Sequence, residues 1–199
     1  MNDIDIEDID IESFLSELYM EGQINDSKSI NKIDKYLNIM PETGKFLGLL
    51  AQITSAERIL EVGTSNGYSA AWLALCTDED VQITTIENDS KKVSAARENF
   101  LSTGLVDRIK IIEGDAPMIL SEMSKSFDLV FVDMDRKLYL DILEDVIRLT
   151  RTKGVIVFDN AVSHKEEMTD VFNYFNGNSQ FHTYLAPIGK GEFVALKKW

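Results

Sequence analysis

The stretch from Arg58 to Ser69, Arg-Ile-Leu-Glu-Val-Gly-Thr-Ser-Asn-Gly-Tyr-Ser, constrains the fold more than any other part of this chain. An apolar run closes on an acidic residue, two glycines follow shortly after, and a helical pattern then begins. Open parallel α/β sheets build ligand pockets this way, at the carboxyl end of the first strand. Gly63 and Gly67 allow a sharp turn and a close backbone approach to a ligand. Asn66 is among the few other residue types that tolerate a positive φ. Glu61 falls at the strand tip as a fixed acceptor. The spacing is Glu-x-Gly-x-x-x-Gly, because Ser65 stands where the dinucleotide motif Gly-x-Gly-x-x-Gly has its central glycine. By itself this is a weak signal, since a ligand-free strand-to-helix turn can look the same.

The pattern around it is regular. Pro41 opens a helix through Ile53, with proline in its first turn. Strands are expected at 58–63, 81–87, 109–113, 127–133 and 154–158, rich in β-branched and aromatic residues. Helices are expected at 68–76, from Asp89 or Ser90 to about Leu101, and at 118–123, 139–149 and 166–175. Strands alternating with helices at this spacing imply βαβ units and a parallel sheet. Two late strands, 181–185 and 193–196, have no helix between them and must pair as an antiparallel hairpin at one edge. The expectation is one doubly wound, Rossmann-like α/β sheet, mostly parallel with an antiparallel C-terminal strand. It occupies residues 40–199, preceded by an acidic segment, 1–39, with a short helix.

That segment opens on a tandem repeat, Asp3-Ile-Asp-Ile-Glu7 then Asp8-Ile-Asp-Ile-Glu12, and has no basic residue before Lys28. Such acidic clustering marks a solvated stretch. Ile11, Phe14, Leu15 and Leu18 then recur at helical spacing, a stripe able to dock on the domain or on a partner chain.

Ligands of such sheets bind beyond the carboxyl ends of the strands. The tips read Glu61, Glu87, Glu113-Gly-Asp115, Asp133 and Asp159-Asn160. Like charges brought together repel, so a cation or hydrogen-bond donors should occupy the space between them. Glu87 lies 24 positions after Gly63, near the spacing at which an acid meets ribose hydroxyls. A helix-capping role is its ordinary alternative. Asp115 and Ala116 would lie beside a nucleoside base, although Gly-Asp is also a common turn. Asp133, Asp159 and Asn160 are oxygen donors suited to Mg²⁺ or Ca²⁺, with Mn²⁺ a further candidate. Two aspartates capping loops would read the same way.

The formal net charge of −14 argues against an open nucleic-acid surface. Cys76 is the sole cysteine, which excludes an intrachain disulfide and fits a reducing compartment such as the cytoplasm. Its expected role is buried packing. No run reaches the roughly 20 apolar residues that span a bilayer, and the acidic start is unlike a signal or transit peptide.

Taken together, Pro41-Glu-Thr-Gly44, Glu61 to Ser69, Thr85-Ile-Glu87, Glu113-Gly-Asp-Ala116, Phe127 to Asp135 and Val157-Phe-Asp-Asn160 resemble the class I S-adenosylmethionine-dependent methyltransferases. Within that class they resemble the cation-dependent O-methyltransferases of the catechol and caffeoyl-CoA group, in a bacterial branch. The resemblance implies a seven-stranded sheet. Glu61, Gly63 and Ser69 would surround the amino-acid end of the methyl donor, with Ser65 and Gly67 in the same turn. Glu87 would bind the ribose, and Asp115 and Ala116 would flank the adenine. Asp133, Asp159 and Asn160 would hold the divalent metal. Many members carry lysine three residues after the first metal aspartate, as the base that deprotonates the acceptor. This chain has Arg136 there, with Lys137 beside it. Arginine stays protonated and is a poor base, so Arg136 is expected to orient substrate or stabilise an oxyanion. That departure weakens a catechol-type specificity.

His164 lies four residues after Asn160 and could accept a proton near pH 7, or could equally be a surface residue. His182 reads as structural. The implied partners are a small-molecule hydroxyl acceptor and a second copy in a homodimer. Three other readings stay open: a tRNA hydroxyuridine methyltransferase, an NAD-linked oxidoreductase, and a pseudoenzyme that binds the donor without turnover.

Overall fold

Side-chain parity along the apolar strands decides how the sheet is covered. The computed structural model describes residues 11–199, so residues 3–10 of the acidic repeat lie outside the described residues. The strands are β1 Arg58–Val62, β2 Gln82–Glu87, β3 Ile109–Glu113, β4 Phe127–Val132, β5 Thr150–Phe158, β6 Phe181–Ala186 and β7 Glu192–Lys197. The helices are α1 Ile11–Lys28, α2 Pro41–Ile53, α3 Tyr68–Leu75, α4 Ser90–Ser102, α5 Ala116–Glu122, α6 Tyr139–Leu149 and α7 Thr169–Phe175. Successive strand residues point to opposite faces. Ile59, Leu129, Phe131, Val155 and Val157 therefore face α1 to α4, against Leu15, Leu18, Leu47, Leu73 and Phe100. Leu60, Val62, Val130, Val132, Ile156 and Phe158 face α5 to α7, against Leu120, Ile142, Val146 and Phe175. Both faces are apolar because both carry helices.

The seven strands run in the order β3-β2-β1-β4-β5-β7-β6. β1 to β5 are parallel, and β7 runs antiparallel to both β5 and β6. The expected hairpin is present, with β7 set inside the sheet and β6 at the edge. The order reverses between β1 and β4, the topological switch point where such sheets bind ligands.

Two strand or helix starts differ from the sequence reading by three residues or more. β5 begins at Thr150, four residues early, because Thr150 pairs with Phe127 across a register irregularity. Lys153 takes a left-handed φ of 64° within that irregularity. Helix α7 begins at Thr169 and not at Glu166. Asn160, at φ 64°, starts a series of turns instead, with His164 N–H donating to the Asn160 carbonyl and Glu167 N–H to that of His164.

Helix α1 is longer than the short helix expected and reaches Lys28. Leu15 and Leu18 are buried, and Phe14 packs against them in the same core. Asp128 ties the base of the sheet together. One carboxylate oxygen accepts Glu57 N–H at 2.9 Å and Arg58 N–H at 2.7 Å, and the other accepts from Arg151. The Arg151 guanidinium and these two amides outweigh the burial that would raise this carboxyl and hold it below the usual range. Cys76 is half-buried against Gly48 and not fully enclosed; burial still pushes its thiol up.

Candidate active site

A cavity of about 610 Å³ opens at the carboxyl ends of β1, β2 and β4. Its first wall is the turn between β1 and α3. Gly63 (φ 107°), Ser65 (φ 50°) and Gly67 (φ 87°) carry the left-handed geometry, so the strain falls on Ser65 and not on Asn66. Gly63 is required by a close approach as well. A Cβ there would come within 1.9 Å of the Asp133 carbonyl. At Gly67 a Cβ would meet the Phe100 ring at 2.6 Å.

Glu61 and Gly67 stand behind this wall, and Ser65 and Ser69 line the cavity. The Glu61 side chain is fully buried. Its Oε2 accepts from the Thr85 hydroxyl at 2.5 Å, and Thr85 is paired with Thr64 at 2.6 Å. Its Oε1 has no partner in hydrogen-bond geometry, although the Ser69 hydroxyl lies beside it. Burial raises this carboxyl to about 7, against the lowering effect of Ser69 and Thr85 and with a further push from Glu87.

Glu87 is fixed by three backbone amides. Oε2 accepts Ser65 N–H at 2.9 Å, and Oε1 accepts Asn88 N–H at 2.9 Å and Asp89 N–H at 3.0 Å. Helix α4 is capped by Asp89, which leaves the Glu87 oxygens on the cavity side with spare lone pairs. Asp115 caps α5 through Met118 N–H at 3.4 Å while also lining the cavity with Ala116.

The second wall brings Asp133, Asp159 and Asn160 together from the ends of β4 and β5. Asn160 Nδ2 lies 3.4 Å from Asp133 Oδ1 and 2.5 Å from Asp159 Oδ2. Asp133 and Asn160 line the cavity, with Asp159 buried behind them. Burial pushes the Asp133 carboxyl well up, and the neighbouring Asp159 adds to the rise. Asp159 is raised by burial too. Among the described residues, no three Asp, Glu, His or Cys side chains enclose a metal position as they stand. Any such site therefore depends on the Asn160 amide. A half-turn of that amide exchanges its nitrogen and oxygen, and the two carboxylates would then share the space with a third oxygen.

Arg136 and His164 line the same cavity. The Arg136 guanidinium pairs with Glu167 at 3.1 Å and is only 10% exposed. His164 Nδ1 lies 2.9 Å from the Ser163 hydroxyl.

Four residues of the site were missed from sequence. Tyr36 and Leu37 line the cavity. They are held by Asp26, whose carboxylate accepts both backbone amides at 2.7 and 2.9 Å, and by the Ser65 hydroxyl, which donates to the Tyr36 carbonyl at 2.7 Å. No periodicity marks that irregular stretch. Lys190 lines the cavity from the turn before β7. Glu192 is fully buried against Asp159, and the hairpin register carried a usable signal for it.

A family model described as O-methyltransferase matches residues 15–173. A catechol O-methyltransferase from Niastella koreensis is 35% identical over 130 residues, covering 63% of this chain and 59% of that protein. One from Mycobacterium tuberculosis is 37% identical over 125 residues, covering 62% and 57%. The matched region thus spans less than two thirds of the length of these curated relatives. The crystal structure of the O-methyltransferase from Bacillus cereus in complex with SAH superimposes with a TM-score of 0.78 at 26% identity, covering 94% of this chain and 91% of that one.

Proposed function

The chain belongs to the O-methyltransferase family, and from that premise we propose that it transfers a methyl group from S-adenosylmethionine to a hydroxyl of a small molecule, assisted by a divalent cation. The observation that carries this reading is one cavity with two differently equipped walls. Glu87 offers acceptors on the β1–β2 side, with Glu61 buried behind that wall, and Asp133 and Asn160 offer oxygens on the β4–β5 side, with Asp159 behind them.

The donor brings a methyl group already activated on a positive sulfur, so the protein must chiefly align the reactants and provide a deprotonated acceptor. Glu87, immobilised by three amides, is suited to accept from two ribose hydroxyls. Glu61, with one unpartnered oxygen, is suited to receive the ammonium of the donor's amino-acid end, which would favour its ionised form. Asp115 and Ala116 would border the adenine. Asp133, Asp159 and the turned amide of Asn160 fit a cation that prefers oxygen ligands. Such an ion would lower the pKa of a hydroxyl presented to it. Arg136 is tied to Glu167 and cannot act as a base, so its part is to orient the acceptor or balance its developing charge. With Nδ1 engaged by Ser163, the remaining His164 nitrogen is the one available to take the acceptor proton.

Residues 40–199 make up the catalytic domain in this reading. Residues 11–39 add α1 and part of the cavity rim. The formal charge of −14 favours a small acceptor over tRNA. A homodimer and a cytoplasmic location belong to the same proposal.

The test is methyl transfer from labelled S-adenosylmethionine to a panel of small phenols and catechols and to bulk tRNA, with Mg²⁺ or with a chelator. Transfer to a small hydroxyl acceptor that stops on chelation is expected. Transfer to tRNA alone would overturn the acceptor class, and transfer indifferent to chelation would remove the cation.

A further inference from the structure

Residues 29–40 cross from α1 to α2 along the rim of the cavity. The regular structure in this strap is one short 3₁₀ turn at Lys32–Asp34, which buries no side chain. Ile30 is 96% exposed and Ile33 69%. Apolar burial therefore does not fix this part of the chain, and ordering it costs backbone entropy that something else must offset. Leu37 even takes a left-handed φ of 54°, an outlier for a bulky side chain.

The groups that fix the strap are polar. Asp26, near the end of α1, accepts Tyr36 N–H on Oδ1 at 2.7 Å and Leu37 N–H on Oδ2 at 2.9 Å. The Asn25 and Ser29 side chains donate to the Asp34 carbonyl at 3.0 and 3.3 Å. Asn38 Nδ2 donates to the Leu18 carbonyl at 3.3 Å, in a space that exists because residue 22 is glycine: a Cβ there would lie 2.3 Å from that nitrogen.

The strap then meets the donor wall through the Tyr36 carbonyl, which accepts from the Ser65 hydroxyl at 2.7 Å. That carbonyl and the Leu37 N–H belong to one planar trans peptide. Asp26 and Ser65 thus grip opposite ends of a single rigid unit. Ser65 passes the constraint on. Its φ of 50° is costly for a residue with a Cβ, and its own N–H donates to Glu87 Oε2 at 2.9 Å. Strap, left-handed turn and Glu87 carboxylate share one geometry, while Asp26 itself stands outside the cavity lining.

We propose that Asp26 is a positioning residue for the methyl donor. By tying the Tyr36–Leu37 peptide to α1 it holds the Ser65 turn, and through the Ser65 amide it holds the Glu87 carboxylate in the arrangement that receives the ribose. This inference rests on the donor reading above. It makes the segment before residue 40 part of the donor site.

The experiment measures S-adenosylhomocysteine affinity by calorimetry, with the thermal midpoint beside it. Wild type is compared with Asp26→Ala, Asp26→Asn, Ser65→Ala, the Asp26→Ala/Ser65→Ala double variant and Glu87→Ala. Asp26→Ala should weaken the ligand about tenfold, the scale of a charge-assisted hydrogen bond. Ser65→Ala keeps the Cβ and removes only the hydroxyl, and should weaken it several-fold. Both act on one peptide, so the double variant should bind no more than about twofold more weakly than Asp26→Ala. Asp26→Asn keeps one acceptor oxygen and should fall between wild type and Asp26→Ala; it also serves should the alanine variant fail to fold. A purely structural role would lower the thermal midpoint and leave the affinity of the folded protein where it was. Affinity within about twofold of wild type in Asp26→Ala, or in Asp26→Asn where the former does not fold, would overturn this inference alone provided Glu87→Ala still weakens binding. Losses that multiply in the double variant would do the same. Unchanged affinity in Glu87→Ala, or no binding by wild type, would overturn both the inference and the donor reading.

Discussion

Glu61→Gln should flatten the pH dependence of stability in the ligand-free protein. The Glu61 carboxyl is fully buried, with one oxygen on Thr85 and the other without a partner, and burial raises it from 4.5 to about 7. The folded chain therefore binds this proton more tightly than the unfolded chain. Below pH 4.5 both states hold it and no difference arises. Between 4.5 and about 7 the unfolded state releases it first, so stability falls as pH climbs through that window and levels off above it. At about 1.4 kcal/mol per tenfold change, the rise amounts to roughly 3 kcal/mol of stability lost across the window. Glutamine keeps the shape and an oxygen for Thr85 but carries no titrating proton. Urea unfolding of both proteins from pH 4.5 to 8 is the assay, and the difference between the two curves reports Glu61 together with the push that its charge gives Asp133. Wild type is expected to fall by about 3 kcal/mol relative to the glutamine variant between pH 4.5 and about 7. Parallel curves would refute the argument. Saturating S-adenosylhomocysteine should reduce the slope in wild type, because its ammonium would stabilise the ionised carboxylate.

Other substitutions test other parts of the molecule. Glu87→Ala removes charge-assisted acceptors worth about 1.5–3 kcal/mol, so calorimetric affinity for S-adenosylhomocysteine should fall by one to two orders of magnitude; an unchanged affinity would take Glu87 off the ribose. Arg136→Lys should retain part of the methyl-transfer rate and Arg136→Ala much less, and near-wild-type turnover in both would leave Arg136 without a role and make His164 the residue to vary next. Asp128→Ala strips two amides and Arg151 of a buried carboxylate, a loss of about 3–5 kcal/mol visible as an earlier thermal midpoint. The carboxyl of Asp128 is held below its ordinary value, so its contribution is complete above about pH 4 and disappears as pH falls below that; acid titration of wild type against the alanine variant should show the gap closing at low pH.

The sheet was readable because its strands announce themselves twice, by β-branched runs and by acids or glycines at their ends. Glu61 was readable as a strand-tip acid; its place on the α1–α4 face, with the parity of Ile59, came with the structure. The turn of β1 into α3 was readable as a turn, but its one non-glycine left-handed residue proved to be Ser65, whose hydroxyl reaches across to Tyr36. That is a long-range contact, and local preference could not favour Ser65 over Asn66. The rim formed by Tyr36 and Leu37 was invisible for the same reason. It is held by Asp26 and Ser65, not by periodic packing. Glu192 lay within reach of sequence reasoning. Once the last two strands are known to form a hairpin with β7 against β5, counting outward from Phe158 and Phe193 places it opposite Asp159. The start of β5 was misjudged because Thr150 joins the sheet through an irregularity and not through a regular ladder.

The position of β7 has a further consequence during synthesis. It is the last strand in the chain yet sits between β5 and β6, so the open edge of β5 waits for residues translated after the whole of the α7 and β6 region. At about 5–20 residues per second, the interval from Phe158 to Lys197 is roughly 2 to 8 s. For that time the nascent chain presents Val155 to Phe158 as an unpaired apolar edge, the kind that recruits other chains. Slow codons or a stalled ribosome within this interval would lengthen the exposure. Loss of the final strand would make it permanent, so yield in the soluble fraction should depend more steeply on residues 192–197 than on the outer strand β6.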